Sequence, residues 1–194
     1  MQCMARFSVK PLRWEPYLPP VDVAEATDAQ LAAMQVTPSG IKVSPYVRTL
    51  AHDPQSYIAR TQLYNHIMYA KDGLAQHDRE LVALVTSLIN GCVYCASVHA
   101  RKYISLTDRD DIVQELYVHG VGGAFDVRIK ALIDFCYHLA VSPVKTDGRA
   151  SETLKNQGFS CSEIVDVVKI VAIFSMANRL MHTLGHARSM QDRA

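Results

Sequence analysis

Four side chains near the middle of the chain have the types and spacing for thiol redox chemistry. They are Glu80, Cys92, Cys95 and His99, in the order E-x11-C-x2-C-x3-H. A helix that starts at Cys92 and runs to about Ile104 puts both sulfurs in its first turns. Free amides and the positive end of the helix dipole there favour thiolate over thiol. Cys92 and Cys95 are three apart, so their sulfurs share a face and close a small disulfide after modest adjustment. His99 lies four beyond Cys95 on the same face, where an imidazole takes a proton from a thiol. Glu80 belongs to the preceding helix. If the two helices fold back at Asn90-Gly91, Glu80 lies roughly 15 Å and His99 roughly 12 Å from the turn, at ~1.5 Å per residue. The carboxylate then sits beside the imidazole rather than the sulfurs. Carboxylate, imidazole and thiol in series is the usual way to activate a cysteine.

The working hypothesis is that Glu80 orients His99, His99 helps to generate the Cys95 thiolate, and Cys92 resolves the oxidised sulfur as a disulfide. The reverse order of the cysteines stays open, because the first cysteine of a C-x-x-C often has the better exposed sulfur. Two other readings compete. Zinc wants four ligands in a structural site, and no second C-x-x-C or Cys/His pair stands at finger-like spacing, so no metal is assigned. Two small cysteines packed as hydrophobes are the plain alternative; it leaves Glu80 and His99 on the matching face as coincidence.

The elements that position these residues are helical. Leu81, Leu84, Val85 and Leu88 repeat at three- and four-residue steps, which predicts a helix with one buried stripe. Asn90-Gly91 stops it, glycine being preferred just past a helix C-terminus. Before it, Asp53-Pro54 fits the cap and first position of a helix to about Tyr69, with Ile58, Leu63, Ile67 and Met68 as its apolar face. After it come a helix opened by Thr107 or Asp108, an amphipathic helix over 126–141 that Ser142-Pro143 ends, and a short helix stopped by Gly158. A last long helix from about Glu163 to Leu184, capped by Ser160 or Ser162, turns Ile164, Val167, Val168, Val171 and Phe174 inward. No stretch alternates with period two over more than a few residues. The expected fold is all-α, about seven to nine helices in antiparallel pairs. The expected organisation is one domain: an arm with a short helix over 1–39, and a helical body over 40–194. Pro11, Pro16, Pro19 and Pro20 make the arm extended, and Trp14, Tyr17 and Leu18 make it adhesive.

Composition narrows the partners. The formal charge of +1 lacks the basic excess of a nucleic-acid binder. No apolar run reaches the ~18 residues of a membrane span, and MQCMARFSVKPLRWEPYLPP has no secretory h-region. Five cysteines without framework spacing suit a reducing cytoplasm, where a C-x-x-C is likelier to cycle than to persist as a staple. Other chemistry-bearing residues read as structural. His182 and His186, four apart on the last helix, read as a surface face. His66, His119 and His138 read as packed or surface residues, Cys136 as core, and Tyr64 and Tyr69 as core beside the motif. Cys161 stands alone at a helix start. Arg179 reads as structural.

The stretch RELVALVTSLINGCVYCASVHARKYI also resembles the signature of the AhpD-like alkylhydroperoxidases of the carboxymuconolactone decarboxylase superfamily, most of all the peroxidase-related branch. ELVAL, NGC-x-YC and the following His recur together there. GIKVSPYVRTLAHDPQ and SEIVDVVKIVAIFSMANRLMHTLG extend the likeness from about Gly40 to Gly185. The resemblance implies a hydroperoxide as small-molecule substrate, an external dithiol or protein reductant, assembly as a homo-trimer or hexamer, and no cofactor. It also admits a non-redox enzyme like the lactone decarboxylases, or a redox-sensing assembly without turnover. One position departs: lipoyl-linked AhpD proteins carry His immediately before the second cysteine, and this chain has Tyr94. A phenol is no proton acceptor near neutral pH, so the full relay and the dihydrolipoamide-type reductant stay open.

Overall fold

A computed structural model describes residues 7–35 and 43–191. Its architecture follows from three consecutive charged residues, Asp78, Arg79 and Glu80, all buried on one helix, α4 (Gln76–Ile89). Charged side chains are rarely interior unless paired, and each of these goes to a different element. Asp78 takes a two-pronged ion pair from Arg128 on α7 (Val127–Ala140), at 2.6 and 3.2 Å. Arg79 donates to the carbonyls of Ile67 in the last turn of α3 (Pro54–Tyr69) and of Asp72 and Leu74 in the connection that follows it, and to Asp166 on α9 (Cys161–Leu184). Glu80 turns to α5 (Val93–Thr107). α4 is thus the central helix, wrapped by four others. It is buried all round from Asp78 to Ser87, where the sequence predicts a single stripe; the polar side chains that break the stripe are interior as well.

The remaining helices are α1 (Asp28–Gln35), α2 (Pro45–Leu50), α6 (Asp110–His119) and α8 (Gly148–Asn156), nine in all among the described residues. The expected all-α fold is observed. Caps fall where the sequence puts them: Ser44 accepts from Val47 N, Asp53 from Ser56 N, and Ser160 forms a full capping box with Glu163. Three expectations change. Leu63 is 55% exposed and Val168 39%, because the inward faces of α3 and α9 run through Thr61, Ile67 and Met68, and through Ile170, Phe174 and Asn178. Thr107 ends α5 instead of opening α6, and Asp108 follows in the left-handed region at φ 56°, a conformation aspartate tolerates. The last helix stops at Leu184, so His182 and His186 do not share it.

Past Leu184 the chain forms β2 (Gly185–Ser189), which pairs antiparallel with β1 (Leu12–Pro16), Trp14 facing Ala187. The N-terminal arm therefore packs on its own body. The break at Pro38-Ser39-Gly40, and with it the proposed 39/40 boundary, lies outside the described residues.

Candidate active site

The turn between α4 and α5 sets the positions of the sulfurs. Gly91 takes φ 72°, its N–H bonds to Leu88 O at 3.0 Å, and the Cys92 N–H bonds to Ser87 O at 2.7 Å. These two bonds are the Schellman closure of a helix. Cys92, fixed by the end of α4, is at once the N-cap of α5. Cys95, Ala96, His99, Ala100 and Tyr103 then follow on the buried face of α5.

The carboxylate and the imidazole meet as the helix arithmetic requires. The His99 Nδ1–H donates to Glu80 Oε2 at 2.5 Å, and both side chains are buried. Gln76 Nε2 donates to Glu80 Oε1 at 3.0 Å, and Lys102 Nζ stands 3.7 Å from the same oxygen. Burial pushes the Glu80 carboxyl up, but the hydrogen bonds and charges of His99, Lys102 and Gln76 outweigh it and hold the group below its usual range. Glu80 is thereby kept ionised. The His99 ring packs edge-on against Phe174, centroids 4.6 Å apart, which fixes its plane.

Cys92 and Cys95 are free thiols that shift each other's ionisation in opposite directions. The Cys95 side chain and the amides of Tyr94 and Cys95 at the start of α5 lower the Cys92 thiol, against its burial. Cys92 beside it, and burial, push Cys95 well up. Within the pair Cys92 therefore ionises before Cys95. A third residue joins them. The Asn178 side chain favours the charged forms of both sulfurs; its Nδ2 reaches Ser87 Oγ at 3.3 Å, and its Oδ1 accepts from Asn90 at 3.0 Å. No hydrogen bond joins His99 to either sulfur.

On one side the sulfurs are closed by Trp14 and Met181, the Trp14 indole donating to Met181 O at 3.1 Å. On the other side Cys95 opens to a cavity of about 320 Å³, in the size range of small-molecule sites. His99, Tyr94 and Phe174 share that wall, and Cys92 does not reach it. Tyr64 and Tyr69, read from sequence as core, line this cavity too. A larger open groove of about 630 Å³ lies behind Glu80, between Gln76 and Lys102, but neither sulfur borders it.

The other candidates stay apart from this site. His186 on β2 stacks on Tyr17 and faces Glu15 at 3.7 Å, while His182 bonds Asn90 O at 3.2 Å. Cys136 is fully buried in the core and Cys161 is exposed. Arg179 is exposed and bonds Ser175 O; its neighbour Asn178 is the residue that faces the dithiol. Among the described residues no three His, Cys, Asp or Glu side chains are grouped to hold a metal ion, and no helix is long and apolar enough to cross a membrane. Asn178 carried one sequence signal: it is the amide within the apolar run Ile170, Phe174, Met181 of α9. Tyr46 and Arg60, also on the cavity wall, carried none.

Residues 54–134, from the start of α3 to the middle of α7, match the carboxymuconolactone decarboxylase family. That stretch resembles the family, and the fold of the chain is AhpD-like. No curated protein matches it by sequence. Among solved structures it resembles an alkylhydroperoxidase AhpD core, an uncharacterized peroxidase-related protein from Ralstonia eutropha JMP134. That likeness has 23% identity and a TM-score of 0.74 over 87% of this chain and 90% of that one. A peroxidase-related protein from Silicibacter sp. TM1040 follows, with 21% identity and a TM-score of 0.72 over 90% and 94%. The debrominase Bmp8 shares 16% identity and a TM-score of 0.70 over 87% and 90%. At these identities the likeness is one of fold. Within the AhpD-like fold the α4–α5 hairpin carries all four residues singled out from the sequence.

Proposed function

We propose that this AhpD-like protein is a thiol-dependent oxidoreductase that reduces hydroperoxides through a Cys92/Cys95 dithiol–disulfide cycle. The observation that carries the reading is that Cys95 lines the cavity one helical turn from Cys92, and the Glu80-anchored His99 ring borders the same cavity. Cys95 is the attacker because it is the sulfur a ligand reaches.

The cycle begins as the S–H proton of Cys95 passes to Cys92. The Cys95 thiolate attacks the terminal oxygen of ROOH. An S–O bond forms, the O–O bond breaks, and RO⁻ takes a proton from His99 Nε2 to leave as ROH. Glu80 accepts the Nδ1–H and balances charge on the ring. The Cys92 sulfur then displaces hydroxide from the Cys95 sulfenic acid; with the proton it carried, water leaves and the disulfide forms. An external dithiol or a protein reductant returns two electrons and the protons. Such a cycle belongs in a reducing cytoplasm, and a homo-oligomer, trimer or hexamer, is the assembly we assign.

The test is steady-state peroxide consumption with a panel of dithiols, together with sulfenic-acid trapping by dimedone. We expect the Cys92→Ser protein to trap dimedone on Cys95 and to stop after one turnover, and Cys95→Ser to trap none. An adduct on Cys92 alone would reverse the order of the sulfurs, and no consumption by the wild type with any dithiol would end the peroxidase reading.

A further inference from the structure

Opposite the sulfurs, the cavity has a second wall on which four polar atoms are unpaired. Tyr57, Arg60, Thr61, Tyr64 and Asn65 recur at the three- and four-residue steps of one face of α3, and Tyr46 joins them from α2. Tyr46 Oη, Arg60 Nε, Thr61 Oγ1 and Asn65 Oδ1 are all buried and none has a hydrogen-bond partner. Buried polar atoms are seldom left so, and four on one cavity wall are four positions addressed to something that enters it.

The chemistry of that wall selects the occupant. Arg60 lies over the Tyr64 ring at 5.1 Å and has no carboxylate partner among the described residues. No Asp or Glu lines the cavity. A guanidinium that is always charged and holds no anion on the wall of a largely aromatic cavity is a receptor for one. A single cation matches a single negative charge better than a phosphate dianion. Tyr46, Tyr57, Tyr64, Tyr94 and Phe174 offer an aromatic body its stacking surfaces.

We propose that the cavity takes an aromatic organic hydroperoxide bearing a carboxylate remote from its O–O bond, the carboxylate held by Arg60 and the hydroxyls of Tyr46 and Thr61, and the O–O group presented to Cys95. This names the substrate class of the site read above as a peroxidase, and rests on that reading. Asn65 Oδ1, the acceptor of the four, calls for a donor hydrogen on the ligand, which ROOH and ROH both carry. Arg60 acts on the sulfurs too, favouring the Cys95 thiolate across the cavity, so the test must separate holding the ligand from tuning the thiol.

Binding of a redox-inert probe does so. The reduced wild type, Arg60→Gln and Arg60→Lys are titrated calorimetrically with 4-(2-hydroxypropan-2-yl)benzoate and with its methyl ester. On the wild type the acid binds at least about tenfold tighter than the ester, as one charge-assisted pair predicts. The preference collapses in Arg60→Gln and is partly kept in Arg60→Lys. Equal binding of acid and ester by the wild type, binding of neither, or a preference unchanged in Arg60→Gln overturns the proposal. Should Arg60→Gln fail to fold, the wild-type comparison decides alone. In parallel, the wild type is given 4-(2-hydroperoxypropan-2-yl)benzoate and its ester with a dithiol. If the acid probe binds but neither peroxide is consumed, the peroxidase reading has failed and the carboxylate site stands. If both peroxides are consumed with the same KM, the substrate class has failed and the peroxidase stands.

Discussion

The two walls of the cavity treat their polar groups in opposite ways. On the α4–α5 hairpin every buried charge is answered: Asp78 by Arg128, Arg79 by three carbonyls and Asp166, Glu80 by His99 and Gln76. The Asn178 amide favours the charged forms of both sulfurs. Across the cavity, Tyr46, Arg60, Thr61 and Asn65 keep buried atoms that nothing answers. A fully bonded network in a low-dielectric interior is rigid, which suits groups that must hold a proton at a fixed atom. An unanswered one costs stability, and the fold carries that cost on one wall alone. The contrast separates the wall that performs the chemistry from the wall that chooses what undergoes it.

The comparison is broken most severely at the sulfur. Cys95→Ser should reduce dithiol-dependent peroxide consumption to background, measured by peroxide loss. Glu80→Gln and His99→Ala should each lower kcat by about 10²–10⁴-fold, the usual worth of a positioned proton donor, with KM changed far less. Glu80→Gln has a second readout. The folded carboxyl titrates below its unfolded value, so its stabilisation is complete above that value, about pH 4.3, and fades as pH falls through the lower folded one. Acid unfolding of Glu80→Gln, followed by circular dichroism, should therefore lose that part of the slope.

Asn178→Ala sharpens the contrast at intermediate size. The amide favours both thiolates, so its loss should move the first thiolate midpoint upward, seen in ultraviolet thiolate absorbance against pH. Turnover near neutrality should fall by about tenfold, the worth of a hydrogen bond to a charged group. Thr61→Val tests the other wall. Replacing an unpaired hydroxyl by a methyl of the same shape should leave the denaturation midpoint unchanged or raise it, by about 1 kcal/mol at most. The turn is expected to change stability alone. At Gly91, φ 72°, a Cβ meets no atom within 4 Å, so Gly91→Ala should cost only the left-handed backbone, about 1–2 kcal/mol by denaturant unfolding.

The division between the walls also explains what could be read from sequence. Glu80, Cys92, Cys95 and His99 lie on two consecutive helices joined by a glycine turn, so helix pitch alone brings the carboxylate to the imidazole. The caps at Asp53 and Ser160 are local in the same sense. The α3 wall becomes a wall only when α3 packs across from α5 and α9, and Arg60 has no near neighbour that announces it. Asn178 reaches Ser87 over 91 positions. The β1–β2 ribbon was illegible for a related reason: LRWEP and GHARS are each five residues long, and each is a strand only because the other is beside it. The buried Asp78-Arg79-Glu80 run misleads in the other direction, since three adjacent charges read as solvated until their partners are known.

Trp14 closes over Cys92 by bonding a carbonyl 167 positions further along the chain. A ribosome therefore releases the four motif residues long before the seal that shields one of them exists, and the sulfurs of an unfinished chain are open to any oxidant or alkylating agent nearby. A version cut after Leu184, lacking β2, should keep its helical hairpin and yet let a bulky maleimide label Cys92 as fast as Cys95.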